Sequence, residues 1–357
     1  MTVDVEGVDK VRELERQMNA YNLRGQWQAH TDSTRPQRIV KGTSDRVSME
    51  PSTSGVLHCW RWERIAEFMK MALDGLSESQ ASRRSLILTN PGLQRGTTHT
   101  LIAAYQIVAP GEVAWAHRHT VNALRFGIEG GPNVFTVVDG VAVPMEPYDL
   151  VLTPGWQWHE HHNETDRPAY WLDCLDVPFT LALNQSFYEE FDDKVQPRLP
   201  TEDASASLML RPSWVPRGTI SRPFRYPWSE TIARLKALST QNPSPHEGIA
   251  LEYLNPITGG PTLESIGCHI HYLPPGFSGR AFRRSSSAIF FVVEGDGRSV
   301  VEDQEQTWGK HDTFVVPNWS WLRMINRSKR EPAILFSMSD APILEKFGFY
   351  REQIGKT

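Results

Sequence analysis

The sequence predicts a mainly-β protein built from two copies of one β-barrel unit, with helices before the first copy and between the two. Three observations carry that reading. Short apolar runs bounded by Gly, Pro, Asp or Asn recur along most of the 357 residues, among 25 glycines and 25 prolines, a texture of strands and turns. Two pairs of stretches match: "RFGIEGG" (Arg125–Gly131) with "FFVVEGDG" (Phe290–Gly297), and "LTPGWQWHEHHN" (Leu152–Asn163) with "VVPNWSWLRMIN" (Val315–Asn326). Within the second pair, Pro154, Trp156, Trp158 and Asn163 answer to Pro317, Trp319, Trp321 and Asn326, while Gly111 and Gly276 each stand six residues before matched positions His117 and Phe282. Agreement at fixed spacing over that length marks an internal repeat.

The elements follow in chain order. Val11, Leu14, Met18 and Tyr21 recur at helical spacing and open the chain with an amphipathic helix. A polar stretch rich in Pro and Ser covers about 28–55, and "RIAEFMKMAL" (Arg64–Leu73) reads as a second helix. From "SLILTNPG" (Ser85–Gly92) the texture turns to strands, through "HTLIAAYQIV", "TVNALRFGIEG", "NVFTVVDGVAVPM" and "AYWLDCLDV". A less regular, Pro-rich segment follows, with a helix at "SETIARLKALS" (Ser229–Ser239), and strands resume with "ESIGCHIHYLPPG" and "SAIFFVVEGDGRSVVE". The expected organisation is an N-terminal helical and extended segment over 1–84, a first barrel over 85–180, a linker with a helix over 181–258, a second barrel over 259–345 and a tail over 346–357.

Composition narrows the function. Charged residues make up 22% and the net charge is −5, which gives no reason to expect a nucleic-acid partner. No apolar run approaches the ~20 residues of a membrane span, and "MTVDVEGVDKVRELER" lacks the apolar core of a signal peptide. Cys59, Cys174 and Cys268 are too few and too scattered for a disulfide framework or a thiolate zinc site. A reducing cytoplasm is the expected compartment.

The two copies differ where chemistry is to be expected. The first carries His117, His119 and His159; the second has Phe282, Arg284 and Leu322 at those places. Residues i and i+2 of a strand share a face, so His117 and His119 point together, with Arg118 turned away, and barrel closure brings His159 to them. A lone histidine on a strand is more often a packed core residue. Three in matched motifs, all absent from the twin, point instead to a first-row divalent metal. The second barrel is expected to fill its interior and serve structure.

With the spacings Gly111-x5-His117-x-His119 and Pro154-x-Trp156-x2-His159-x3-Asn163, the chain resembles the cupins. More narrowly, "PGEVAWAHRHTVNALRFGIEG" and "LTPGWQWHEHHNET" are similar to the gentisate and salicylate 1,2-dioxygenases, which are bicupins: two cupin barrels of the double-stranded β-helix or jelly-roll kind. "NPITGGPT" (Asn255–Thr262) and "YLPPGFSGRAFRRSSSAIFFVVEG" fit the C-terminal half of that family, and the likeness runs from about residue 60 onward. The glutamate ligand common among cupins would fall at Ala123 or Leu124; its absence fits the family's three-histidine iron site.

The resemblance implies Fe(II) on His117, His119 and His159, opening a salicylate-type ring with O2 between the carboxylate-bearing and hydroxyl-bearing carbons. Three neutral ligands leave the cation's charge for an anionic substrate, a pull of ~4 kcal/mol per charge pair at 4 Å in an intermediate dielectric. By motif position, Arg125 pairs with the substrate carboxylate through its planar fork, and His161 is the acid/base group that takes or holds the phenolic proton. His162 faces the other way and receives no role. Gln106 hydrogen-bonds substrate or oxygen. One of Arg83 and Arg84 adds a second cation, alternation allowing only one to face inward. Asp173 joins the substrate-binding set by orienting a histidine, with Asp176 as competitor for that part. Trp156 and Trp158 recur in the metal-free twin, so packing is their task. Family likeness also implies a homo-oligomer, a tetramer. Gentisate, 5-nitrosalicylate and hydroxynaphthoate remain open as substrates, because the chain departs from gentisate-type text at Ala104-Tyr105, Val121-Asn122 and Tyr148, the last standing where the motif has glycine. A zinc-dependent hydrolase or lyase and a non-catalytic binder of a small acid are the other readings of three histidines.

Overall fold

Alternation along each strand decides which side chains meet. In the computed structural model, which describes residues 5–23, 50–77, 83–199 and 225–355, every named strand pairing is antiparallel. The first barrel closes a six-stranded sheet on a five-stranded one. The six-stranded sheet runs Arg225–Tyr226, Leu150–Thr153, Ala123–Glu129, Ala169–Leu175, Ile102–Val108, Arg84–Ile87. Its partner runs Tyr188–Glu190, Val113–His119, His159–Asn163, Gly131–Val138, Val141–Met145.

The second barrel repeats the plan. His58–Trp60, Thr313–Val316, Ala288–Glu294, Ala333–Ser339, Gly267–Leu273 and Ile249–Glu252 form its six-stranded sheet. Gln304–Trp308, Gly297–Val301, Leu322–Asn326, Phe282–Arg284 and Glu352–Ile354 form the other. Both sheet systems thus recruit edge strands from outside the ranges read as barrels, namely His58–Trp60, Tyr188–Glu190, Arg225–Tyr226, Ile249–Glu252 and Glu352–Ile354. These strands are two to four residues long, too short to carry a periodic signal.

The repeat extends into the backbone. Gly111 and Gly276 both have φ of 70°, and the pairs Trp156/Trp319, Tyr148/His311 and Asp139/Glu302 share positive φ. Asn163 Nδ2 donates to Val108 O and Arg167 O at 3.0 and 2.7 Å, and Asn326 Nδ2 donates to Leu273 O and Glu331 O at 3.1 and 2.9 Å. Arg118 lies 4.4 and 4.5 Å over Trp156 and Trp158, as Arg283 lies 4.3 and 4.8 Å over Trp319 and Trp321. The tryptophans therefore clamp an arginine in both barrels.

Residues 53–357 form one unit and residues 1–52 another, the latter containing helix Val5–Ala20. Most of the polar stretch read over 28–55 lies outside the described residues. Helix Trp62–Gly75 buries Ile65 and Met69, four residues apart on one face, and Trp228–Leu238 buries Leu235. Odd and even positions of the six-stranded sheets part company. Leu124, Phe126, Leu172 and Cys174 of the first sheet join Ile289, Phe291, Phe336 and Met338 of the second in one core between the barrels. Phe126 stacks on Phe336 at 4.0 Å with an interplanar angle of 7°, and Tyr105 Oη lies 2.6 Å from Thr313 Oγ1. Tyr148 belongs to this seam, its hydroxyl 2.8 Å from His311 Nε2. Its positive φ explains why glycine suits that position.

The other positions face the barrel interiors. The second barrel does not fill its interior as its sequence suggests: a cavity of about 190 Å³ remains among Phe282, Phe290, Leu322, His271 and Ser337. Among the described residues no helix is long and apolar enough to cross a membrane. All three cysteines are free, with Cys174 and Cys268 buried in the seam.

Candidate metal centre and its surroundings

A β-bulge sets the phase of the first two histidines. Ala114 pairs with His161, but His117 pairs with His159, so one extra residue sits between them on strand Val113–His119. Ala114 faces the interior, and strict alternation from it would send Ala116 inward and His117 out. The bulge reverses the parity and turns His117 and His119 in. The twin barrel pairs Phe282 with Leu322 at the same place.

The ligand atoms of His117, His119 and His159 lie within 4.8 Å of one another. Each ring is oriented by its Nδ1 against a backbone carbonyl two residues away: Trp115 at 3.2 Å, Val121 at 2.8 Å and Gln157 at 2.9 Å. For His119 and His159 that leaves Nε2 as the lone-pair nitrogen, while at His117 the donor-only guanidinium of Arg83 also lies against Nδ1. Nε2 of His159 is buried without a hydrogen-bond partner, a costly state for a polar atom unless something binds there. Burial, helped by Arg83, pushes His117 down to about 2, and burial pushes His119 down to about 4. Burial carries His159 well below the ordinary range too. All three are therefore neutral at physiological pH, the state in which imidazole binds metal. Among the described residues no carboxylate joins the group. An inward trio of neutral nitrogens with an orphaned donor pair fits a divalent first-row metal.

Next to the trio stands a buried polar chain. Arg125 donates from Nε to Nε2 of His161 at 3.2 Å and from Nη1 to Oγ1 of Thr153 in a short bond. His161 holds Thr136 Oγ1 at 2.9 Å on its Nδ1. Burial and then Arg125 keep His161 neutral. Asp173 lies 3.5 Å from Arg125 Nε and accepts from Trp171 Nε1 at 3.1 Å. It faces an arginine, not the histidine expected of it, because Asp173 and Arg125 are directly paired across neighbouring strands. Burial outweighs that arginine and raises Asp173 to about 6, while burial lowers Arg125 to about 10.

Gln106 faces inward, 4% exposed, and its Nε2 has no partner. Arg83 reaches the trio: its Nη2 donates to Trp115 O at 2.8 Å and lies against Nδ1 of His117. Arg84 turns away into a two-point ion pair with Glu112 at 2.6 Å and bonds to Leu76 O. Asp176 stands at the start of helix Val177–Ala182, bonded to Asn122 and Ser265 and away from the histidines. His162 lies on the other face, stacked on Phe135 at 4.8 Å and bonded to Glu160.

Sequence reasoning passes over Thr136, Thr153 and Tyr188. The Tyr188 ring is 5.5 Å from His117 and its strand pairs with His119. The threonines carry a signal in hindsight, as inward positions on strands facing His161 and Arg125. Tyr188 carries none, since Tyr188–Glu190 sits in a segment that reads as linker.

Comparison with known proteins agrees with this construction. The family model described as "Cupin domain" matches twice, over 104–175 and 269–339. A 1-hydroxy-2-naphthoate 1,2-dioxygenase of Nocardioides sp. (strain KP7) is 43% identical over 93% of this chain and 84% of its own. A 5-aminosalicylate 1,2-dioxygenase of Comamonas sp. is 39% identical over 88% and 85%. The crystal structure of a salicylate 1,2-dioxygenase from Pseudaminobacter salicylatoxidans superposes with a TM-score of 0.79 and 31% identity, over 96% of this chain and 97% of that one. Fold and site thus define a two-barrel cupin whose first barrel gathers three histidines that could hold a metal. Within that class the chain belongs to the gentisate and salicylate 1,2-dioxygenases, ring-cleaving oxidoreductases that act on aromatic acids.

Proposed function

We propose that this enzyme uses Fe(II), held by His117, His119 and His159, and O2 to open a 2-hydroxy aromatic acid between the carboxylate-bearing and hydroxyl-bearing carbons. The observation that carries the reading is the inward trio of neutral imidazoles beside the Arg125–His161 chain, with no carboxylate ligand. Ferrous iron would supply a one-electron route to triplet oxygen, which no side chain offers.

The remaining roles belong to the chain's own residues. Arg125, buried and charged, binds the substrate carboxylate and orients the ring. His161 is neutral and its Nε2 accepts a hydrogen bond in the resting arrangement; released by Arg125's move to the substrate, it holds the phenolic proton. Gln106 offers its unpartnered Nε2–H to substrate or oxygen, Arg83 adds positive potential, and Asp173 keeps Arg125 in place. The fused-ring acid 1-hydroxy-2-naphthoate heads the substrate candidates because a relative acting on it by name is 43% identical over 93% of the chain; gentisate, salicylate, 5-aminosalicylate and 5-nitrosalicylate follow. A homo-oligomer, a tetramer, in the cytoplasm completes the proposal.

The test is anaerobic purification, metal analysis and oxygen-electrode assays with those five acids. Oxygen uptake that depends on iron and matches substrate loss one-to-one supports the proposal. Zinc occupancy without oxygen uptake, or tight binding without turnover after Fe(II) is supplied, overturns it.

A further inference from the structure

One row of the first barrel's interior runs from its buried arginine to an exposed isoleucine. Arg125 pairs with Asp173, Asp173 with Ala104 and Ala104 with Ile87, across four neighbouring strands of the six-stranded sheet. Directly opposed residues share a face. Ile87 therefore faces the side that Ala104, Asp173 and Arg125 face, while its neighbour Leu86 packs into the seam. The same side of this strand looks onto the histidines, since Arg83, of the same parity as Ile87, lies against His117.

Ile87 is nonetheless 58% exposed, whereas Ala104 beside it is 3% exposed. Strand Arg84–Ile87 is the edge of its sheet, so the interior opens to solvent there. Polarity falls along the row. Arg125 and Asp173, 3.5 Å apart, stand at one end, Ala104 offers only a methyl group, and Ile87 closes the other end with an apolar side chain. Arg125 and Ile87 are three strand spacings apart, roughly 14 Å. A single ring whose carboxylate sits on Arg125 stops short of Ile87. A second ring, fused on the side away from the carboxylate, reaches it and removes its apolar surface from water.

We propose that Ile87 is a specificity-determining residue, the apolar lip of the first barrel on which the second ring of a fused-ring hydroxy acid rests. It thereby favours 1-hydroxy-2-naphthoate over single-ring acids. The inference rests on the ring-cleavage reading above for the acid and for its anchor, Arg125. A polar substituent at the same edge gains nothing, because the side chains of Ile87 and Ala104 offer it no hydrogen bond.

The test is anaerobic equilibrium binding of 1-hydroxy-2-naphthoate and of salicylate to the full-length, metal-loaded enzyme, with oxygen uptake measured separately. Wild type should bind the naphthoate about tenfold tighter, as the extra apolar surface of a second ring implies. Ile87→Ser should cut that preference about tenfold, and Ile87→Val should keep it within about threefold. Ratios of kcat/KM for the two acids should follow. Metal content and thermal midpoints report that both variants fold. An unchanged preference in Ile87→Ser, an equal loss for both acids, or no preference in wild type would overturn the proposal. Failure of oxygen uptake while the binding preference responds to Ile87 would sink the ring-cleavage reading and leave the lip standing. Wild type that binds neither acid would sink both.

Discussion

His159 and Leu322 occupy one position in two copies of the same barrel, and they make the sharpest single-residue comparison. His159→Ala should lose bound metal and turnover together. Leu322→Ala should keep both and cost about 2 kcal/mol, the low end for such truncations because a space already lies beside it; metal analysis and thermal melts of both variants check this. Arg125→Lys keeps the charge but loses the fork that reaches His161 and Thr153. It should raise KM or lower kcat at least tenfold while metal stays bound, and unchanged kinetics would remove Arg125 from the carboxylate role. The histidines also fix a pH dependence. His119 is held near 4, against an unfolded value near 6.5. Without metal, the unfolded chain binds protons first as pH falls, so stability drops from about pH 6.5 to about pH 4. Asp173, raised to about 6, works against this over part of the window, but His117, His159 and His161 reinforce it. Denaturant midpoints of chelator-treated protein should fall over that range. Flat midpoints would contradict neutral imidazoles in the folded state.

At the scale of strands, much of the site was legible because it repeats. The trio stood out against Phe282, Arg284 and Leu322, and the paired tryptophans were assigned to packing because both copies have them. What alternation could not give was phase. Nothing in "EVAWAHRH" announces the bulge between Ala114 and His117, which depends on pairing with a distant strand. Between Arg83 and Arg84 parity alone left a choice; the structure pairs Arg84 with Glu112 and leaves Arg83 beside His117. Tyr148, one of the departures from gentisate-type text, is a seam residue, and its departure from glycine concerns backbone φ and a bond to His311. Asn163 and Asn326 each tie a turn to a neighbouring strand. Asn163→Ala should leave buried carbonyls unpaired and cost about 1–3 kcal/mol, read as a fall in the thermal midpoint without a change in bound metal at saturation.

At the scale of the whole molecule, the barrels share a core and not merely a linker. Phe126 stacks on Phe336 and meets Phe291 edge-on at 5.7 Å. Phe126→Ala should cost about 3–5 kcal/mol, and because the seam belongs to both barrels, thermal unfolding should remain a single transition in calorimetry. Two separated transitions in the variant would mean that the barrels stand alone. The sequence disclosed the duplication and the chemistry of the first copy. It did not disclose which edge strands complete each sheet, because pieces such as Arg225–Tyr226 are too short to show a period and are defined only by what they pair with.

Those borrowed edges bear on how the polypeptide matures. His58–Trp60 waits for Thr313–Val316, some 250 positions downstream, and the sheet holding Arg125 is not finished until Arg225–Tyr226 leaves the ribosome. Such long-range closure makes for slow folding. It also means that no single cut through the gene yields two self-sufficient halves: a cut between Tyr226 and Ile249 keeps every strand of the first barrel together but takes His58–Trp60 away from the second.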